Sequence, residues 1–170
     1  MPAASDRPFR LLFVCMGNIC RSPAAEGVMR RLTREAGLAE QVEIDSAGTG
    51  GWHEGSPPDD RMTAAARRRG YELTGRARQI TAGDIRRFDL VLIMDEQNRR
   101  DIRPWLPDGP EREKVRMFCE FCARFENDEV PDPYYGGREG FDRVLDLLED
   151  GCAGVLEHIR QWRAGAAEKP

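Results

Sequence analysis

Apolar residues fall along this chain in two kinds of run, some short and continuous, others long and periodic. Phe9 to Val14 reads Phe-Arg-Leu-Leu-Phe-Val and ends at a glycine-containing loop, the pattern of a buried strand. Val42 to Asp45 and Asp89 to Met94 predict a second and a third strand, and Val115 to Phe118 a fourth. Between them the spacing turns helical. Ala25, Val28, Met29, Leu32 and Ala36 share one face, and Gly37 stops the helix. Ser22 as N-cap with Pro23 at the first helical position predicts its start, and Glu26 lies toward the positive end of its dipole. Ser46 to Pro58 is rich in turn formers. Asp59 or Asp60 then caps a helix to about Arg69, closed by Gly70. The longest periodic stripe runs Phe141, Val144, Leu145, Leu148, Cys152, Val155, Leu156, Ile159, Trp162, with Gly151 and Gly154 as weak points inside it.

Strand and helix therefore alternate four times. That predicts an α/β fold, a single-domain doubly wound four-stranded parallel sheet with helices on both faces, over residues 9–165. Residues 1–8 read as a flexible lead-in. The net charge of -4 argues against a nucleic-acid partner, which needs a basic footprint. Of the 26 basic residues 24 are Arg, a bias in usage rather than a basic patch. No run reaches the roughly 18 apolar residues of a membrane helix, and no apolar export signal opens the chain. A cytoplasmic protein with no membrane partner is expected, its five cysteines reduced and open to reactivity, metal binding or plain burial.

Cys15 to Ser22 reads Cys-Met-Gly-Asn-Ile-Cys-Arg-Ser. With so many arginines the bare spacing of Cys, five residues and Arg is a weak signal. Its placement is what carries weight: the cysteine ends a buried strand and a helix opens where the loop closes, where parallel sheets bind ligands. A tight loop of this length turns successive N–H groups inward as an anion nest, and the helix N-terminus adds its positive end. The same field favours a thiolate, so Cys15 is expected to have a depressed pKa. Arg21 can hold two phosphate oxygens as a fork, which Lys cannot. Ser22 can donate to the sulfur. Gly17 and Asn18 suit loop shaping, since both tolerate positive φ.

This segment resembles the signature loop of the low-molecular-weight protein tyrosine phosphatases. The similarity runs on through Asp45-Ser46-Ala47-Gly48-Thr49, Arg78-Gln79-Ile80, Met94-Asp95 to Asn98, and Asp132-Pro133-Tyr134-Tyr135. The resemblance implies a phosphotyrosine protein phosphatase I-like fold and hydrolysis of phosphotyrosine and small aryl phosphates through a phosphocysteine. In that scheme Cys15 is the nucleophile, Arg21 the phosphate clamp and Asp132 the general acid, later the base. A phenol leaves with a pKa near 10, so it needs that proton. Met16, Gly17, Asn18, Ile19, Cys20 and Ser22 would surround the phosphate. Tyr134 and Tyr135 would form an aromatic wall, and Trp52 could line the crevice or anchor its loop. Cys20 resembles the family's second loop cysteine, which pairs with the nucleophile on oxidation.

The resemblance implies no metal and no organic cofactor, a phosphotyrosine-containing protein as substrate (a tyrosine kinase is one candidate), and a monomer. One departure is Gly75, which stands near the place where many relatives carry a His, so a bond to Asn18 is expected to be missing or filled by water. Asp95 suits either support of Arg21 or a helix cap. Cys119 and Cys122 form a lone Cys-x2-Cys, without the further ligands of a zinc site; they read as structural, with a redox pair as the alternative. Arsenate reductase on the same scaffold would need resolving cysteines near the strand ending at Met94, and none occurs between Cys20 and Cys119. A non-catalytic phosphotyrosine-binding module would be expected to lose Cys15 or Asp132.

Overall fold

The structure, a computed structural model, describes residues 6–167. Its sheet holds four parallel strands, β1 (Phe9–Cys15), β2 (Val42–Gly48), β3 (Leu90–Ile93) and β4 (Val115–Met117), in the order β2-β1-β3-β4. The helices are α1 (Arg21–Glu35), α2 (Asp60–Arg68), α3 (Ala82–Arg87), α4 (Glu96–Ile102) and α5 (Arg138–Ala167). Because side chains alternate along a strand, β1 feeds two cores. Leu11, Phe13 and Cys15 join α1, α2 and α5 on one face. Leu12 and Val14 join Ile85 of α3, Ile102 of α4, Val91 and Ile93 on the other. Buried on both faces, β1 and β3 read as near-continuous apolar runs, as parallel strands do. The doubly wound four-stranded expectation is met.

Local differences have physical causes. Helix α1 starts at Arg21, with Cys20 in the cap position and no side-chain cap. Ser22 therefore does not cap the helix; it lies inside the first turn and faces Cys15. Asp59 caps α2, accepting from the N–H groups of Arg61 and Met62. Helix α3 was not apparent from periodicity because it has only six residues; its signal is the reciprocal capping box of Thr81 and Asp84. Strand β2 runs on through Ser46-Ala47-Gly48, in register with Phe13-Val14-Cys15, where the sequence suggested turn. Small residues are required there. A Cβ on Gly48 would lie 2.7 Å from the Met16 carbonyl oxygen, so glycine lets the loop after β1 pack onto β2. Residues 1–5 of the expected lead-in lie outside the described residues. Arg7 is anchored: its guanidinium donates to both carboxylate oxygens of Asp89 at 2.8 and 2.7 Å and lies 5.6 Å from the Trp162 ring.

The apolar stripe of α5 is buried from Phe141 to Ile159, with Trp162 half-buried against Phe9. Its two glycines are notches. The ring of Phe118 fills the space where a Gly151 side chain would stand, and the Phe121 carbonyl oxygen lies 2.1 Å from a Cβ built on Gly154. The 3-10 turn Phe118–Phe121 is thereby pressed into the helix. Beyond it, the buried Asp150 carboxylate accepts from the N–H groups of Ala123, Arg124 and Phe125 at 2.9 to 3.1 Å. This fixes the path of the chain toward Val130 and Asp132.

Glycine to alanine in a helix ordinarily stabilises by about 1 kcal/mol. Gly154→Ala is expected to reverse that sign and destabilise by roughly 1–3 kcal/mol, because the new methyl meets backbone that cannot swing away. Urea denaturation at equilibrium measures it; an unchanged or raised midpoint would refute the notch.

Candidate active site

The loop from Cys15 to Arg21 leaves β1 at its carboxyl end and closes on α1. Its carbonyls point outward. Those of Cys15 and Met16 accept from the N–H groups of Thr49 and Gly50, that of Ile19 from Asp59, and that of Cys20 from Ala24. Among the described residues the N–H groups of residues 16–21 donate to no protein group. A ring of free donors at a helix start is an anion site. Asn18, at φ 55°, makes the sharp bend. Its amide is saturated: Nδ2 donates to Ser22 Oγ at 2.8 Å and Ser46 Oγ at 3.0 Å, and Oδ1 accepts from the Arg78 N–H at 2.9 Å. Gly75 gives Asn18 no side-chain partner, and a cavity of about 230 Å³ lies between them behind the loop, but Ser22, Ser46 and Arg78 supply the bonds that were expected to be missing. Glu26, placed near the dipole by the sequence pattern, instead accepts from Ser46 Oγ at 2.8 Å.

Cys15 Sγ lies 3.0 Å from Ser22 Oγ, both buried. Arg21 is 2% exposed and held from several sides. Its Nη1 donates to Asp95 Oδ2 at 2.5 Å and to the Val130 carbonyl at 3.0 Å; Nη2 stands 3.7 Å from Asp132 Oδ2. Burial works against its charge, but Cys15, Asp95 and Asp132 more than offset this, so the guanidinium is held above its ordinary pKa. Asp95 serves both expected ends, since its other oxygen caps α4 at the Asn98 N–H. The Val130 N–H donates to the Met94 carbonyl, tying the Asp132 segment to the end of β3.

These elements meet in one small cleft lined by Cys15, Met16, Gly17, Ile19, Cys20, Arg21, His53, Asp132, Tyr134 and Tyr135. Of the residues expected to touch a ligand, Asn18 and Ser22 lie beneath the loop instead. Trp52 is not brought to the cleft. Its ring folds back over Gly50 and remains 74% exposed. The next residue, His53, takes the wall position, its ring 6.2 Å from that of Tyr134. Nothing in the sequence pattern marks His53, because its place depends on the turn at Gly51–Gly55. Asp132 accepts from the Tyr134 N–H at 3.0 Å, a turn that carries both the acid and the aromatic wall. Cys20 also faces the cleft, and burial, with Asp59 next, pushes its thiol up. Cys119 and Cys122 sit on the turn against α5, outside the cleft. Among the described residues no group of three or more His, Cys, Asp or Glu is placed to hold a metal ion.

A buried cysteine sulfur, a fixed guanidinium and a carboxylate around free amides have the make-up of a cysteine-dependent phosphate-handling site. Residues 10–164 match the family described as low molecular weight phosphotyrosine protein phosphatase, and the chain belongs to that family. A Synechocystis sp. protein is 51% identical over 150 residues, covering 88% of this chain and 96% of its own. The low molecular weight protein-tyrosine-phosphatase of Streptomyces coelicolor is 43% identical over 161 residues, 94% of this chain and 98% of its own. A protein tyrosine phosphatase from Entamoeba histolytica, solved with Hepes in its active site, superposes with a TM-score of 0.88 at 40% identity, covering 91% of this chain and 99% of that one.

Arg78 links the loop to Asp84, donating to its two carboxylate oxygens at 2.9 and 3.2 Å. Burial alone would raise the pKa of Asp84; the Arg78 pair and the Thr81 bonds outweigh it and hold it below 3.8. The charged form therefore stabilises the fold above that pH, and the contribution fades as pH falls through the depressed value. Asp84→Asn is expected to cost about 1–2 kcal/mol at pH 7, with a narrower gap to the parent protein at pH 3. Urea melts at both pH values test this, and an equal gap at both would rule it out.

Proposed function

We propose that this chain hydrolyses phosphotyrosine through a phosphocysteine, with Cys15, Arg21 and Asp132 in the roles their positions allow. The observation that carries the reading is the sulfur of Cys15, 3.0 Å from the Ser22 hydroxyl, in the same small cleft as Arg21 and Asp132. The phosphate sits on the free N–H groups of the loop, its non-bridging oxygens shared with Arg21, so charge is neutralised by the chain itself. Cys15 Sγ attacks phosphorus as the P–O bond to the ring breaks, and Asp132 gives its proton to the departing phenolate. Asp132 then takes a proton from the attacking water, the S–P bond breaks, and the Ser22 hydroxyl donates to the released sulfur. The aromatic ring of the substrate stands between Tyr134 and His53.

Cys20 completes the reading as a protective thiol. A peroxide oxidises Cys15 to a sulfenic acid, and attack by the Cys20 sulfur expels water and leaves a disulfide that thiols reverse. Substrates are phosphotyrosine-bearing proteins, a tyrosine kinase among the candidates, met by a monomer in the cytoplasm.

Cys15→Ser is expected to abolish release of phosphate from p-nitrophenyl phosphate. Asp132→Ala should lower kcat by about 10²–10⁴ for phenyl phosphate, and by less for p-nitrophenyl phosphate, whose leaving group needs no proton. A chelator should change neither rate. Turnover retained by Cys15→Ser, or lost to the chelator, would overturn the mechanism.

A further inference from the structure

Beside the cleft lies a second groove, of about 260 Å³, lined by Arg61, Ala64, Arg68, Gly136, Arg138 and Phe141. Its volume is below that of drug-sized ligand sites and suits a single side chain. Its charge runs against the rest of the molecule. The chain carries 30 acidic and 26 basic residues, yet the groove has three arginines and no carboxylate in its lining. Arg61 is committed to Asp59 at 3.1 Å. The side chains of Arg68 and Arg138 make no ion pair or hydrogen bond among the described residues, and both residues are exposed. Unpaired guanidinium groups around the exposed methyl of Ala64, with Phe141 buried beneath, match a ligand with an aromatic ring and an anionic end.

Arg61 joins this groove to the active site. Its guanidinium lies 5.3 Å from the Tyr134 ring, which walls the cleft, and 4.9 Å from the Phe141 ring, which floors the groove. The two rings are thus no more than about 10 Å apart, and an extended peptide covers that distance in roughly three residues.

The geometry points to a second anionic subsite, formed by Arg68 and Arg138 over Phe141, that takes a second phosphotyrosine about three residues from the one being hydrolysed. The inference rests on the phosphatase reading and narrows its substrates to segments with closely spaced phosphotyrosines. The second phosphate is bound, not cleaved. Its ring lies against the exposed Ala64 and the arginine stems above the buried Phe141, and its oxygens accept from the two free guanidinium groups, so the benefit falls on KM rather than on kcat.

The test uses peptides with one phosphotyrosine and, three residues to either side, phosphonomethyl-phenylalanine, glutamate, tyrosine or alanine. The phosphonate cannot be hydrolysed, so all phosphate released comes from the first site. In at least one direction it should raise kcat/KM roughly five- to tenfold over tyrosine, mainly through KM, and glutamate should give less. In the double variant Arg68→Gln, Arg138→Gln that advantage should shrink to within about twofold, each protein being referred to its own alanine peptide. Equilibrium binding of the same peptides to Cys15→Ser protein reads the subsite without turnover. If the parent protein hydrolyses p-nitrophenyl phosphate but the phosphonate gives no advantage in either assay, the subsite is refuted and the phosphatase reading stands. An advantage that survives in the double variant, or a glutamate equal to the phosphonate, refutes it as well. Failure to hydrolyse any aryl phosphate refutes the phosphatase reading, while the binding arm still decides whether the groove takes the phosphonate.

Discussion

A buried guanidinium organises this molecule. Removing a cation from water is costly unless partners surround it, and Arg21 at the start of α1 is almost wholly buried. Its requirement draws together three parts of the chain that are distant in sequence. The loop from Cys15 supplies the arginine, the end of β3 supplies Asp95, and the segment before the Asp132 turn supplies the Val130 carbonyl. Removal of any of these partners would strand a charge in the interior, so the arrangement specifies one geometry. That geometry leaves the second guanidinium nitrogen toward Asp132 and the cleft.

The sheet makes this arrangement rigid. Strands β1 and β3 are packed on both faces, so the carboxyl ends from which Cys15 and Asp95 emerge have little freedom. The long route from β4 to Asp132 has no strand to guide it and depends on other devices. The ring of Phe118 and the carbonyl of Phe121 seat in the α5 notches, Asp150 gathers three amides, and the Val130 N–H reaches the Met94 carbonyl. None of these is a catalytic group. Together they set where the acid stands relative to the sulfur, and small misplacements of reacting groups are costly in rate.

Charge is divided along the same lines. Several arginines of this arginine-rich chain are spent in pairs that hold elements together, as Arg7 with Asp89, Arg69 with Asp146 and Glu149, and Arg78 with Asp84. Arg68 and Arg138, beside the cleft, are left without such a partner among the described residues. A surface that is acidic on the whole therefore presents a cationic edge next to its phosphate site.

The apolar runs were enough to determine the layering. A strand buried on both faces has to be continuously apolar, and a helix buried on one side has to repeat at three and four, so β1, β3, α1 and α5 were legible along with the loop between β1 and α1. The chemistry of Cys15 and Arg21 was legible too, because the loop is local and its parts are neighbours in sequence. Other features were decided only in three dimensions. Ser22 has the composition of a cap, but the turn of α1 aims it at the sulfur. Trp52 and His53 are adjacent in sequence, and only the fold of their loop decides which of them faces the cleft. Asp150 is one more acidic residue on a helix until the 123–125 segment crosses it. Sequence fixes what each segment can bury and what each side chain can do; which side chains meet depends on contacts between distant segments, and these form only when the sheet and its helices have packed.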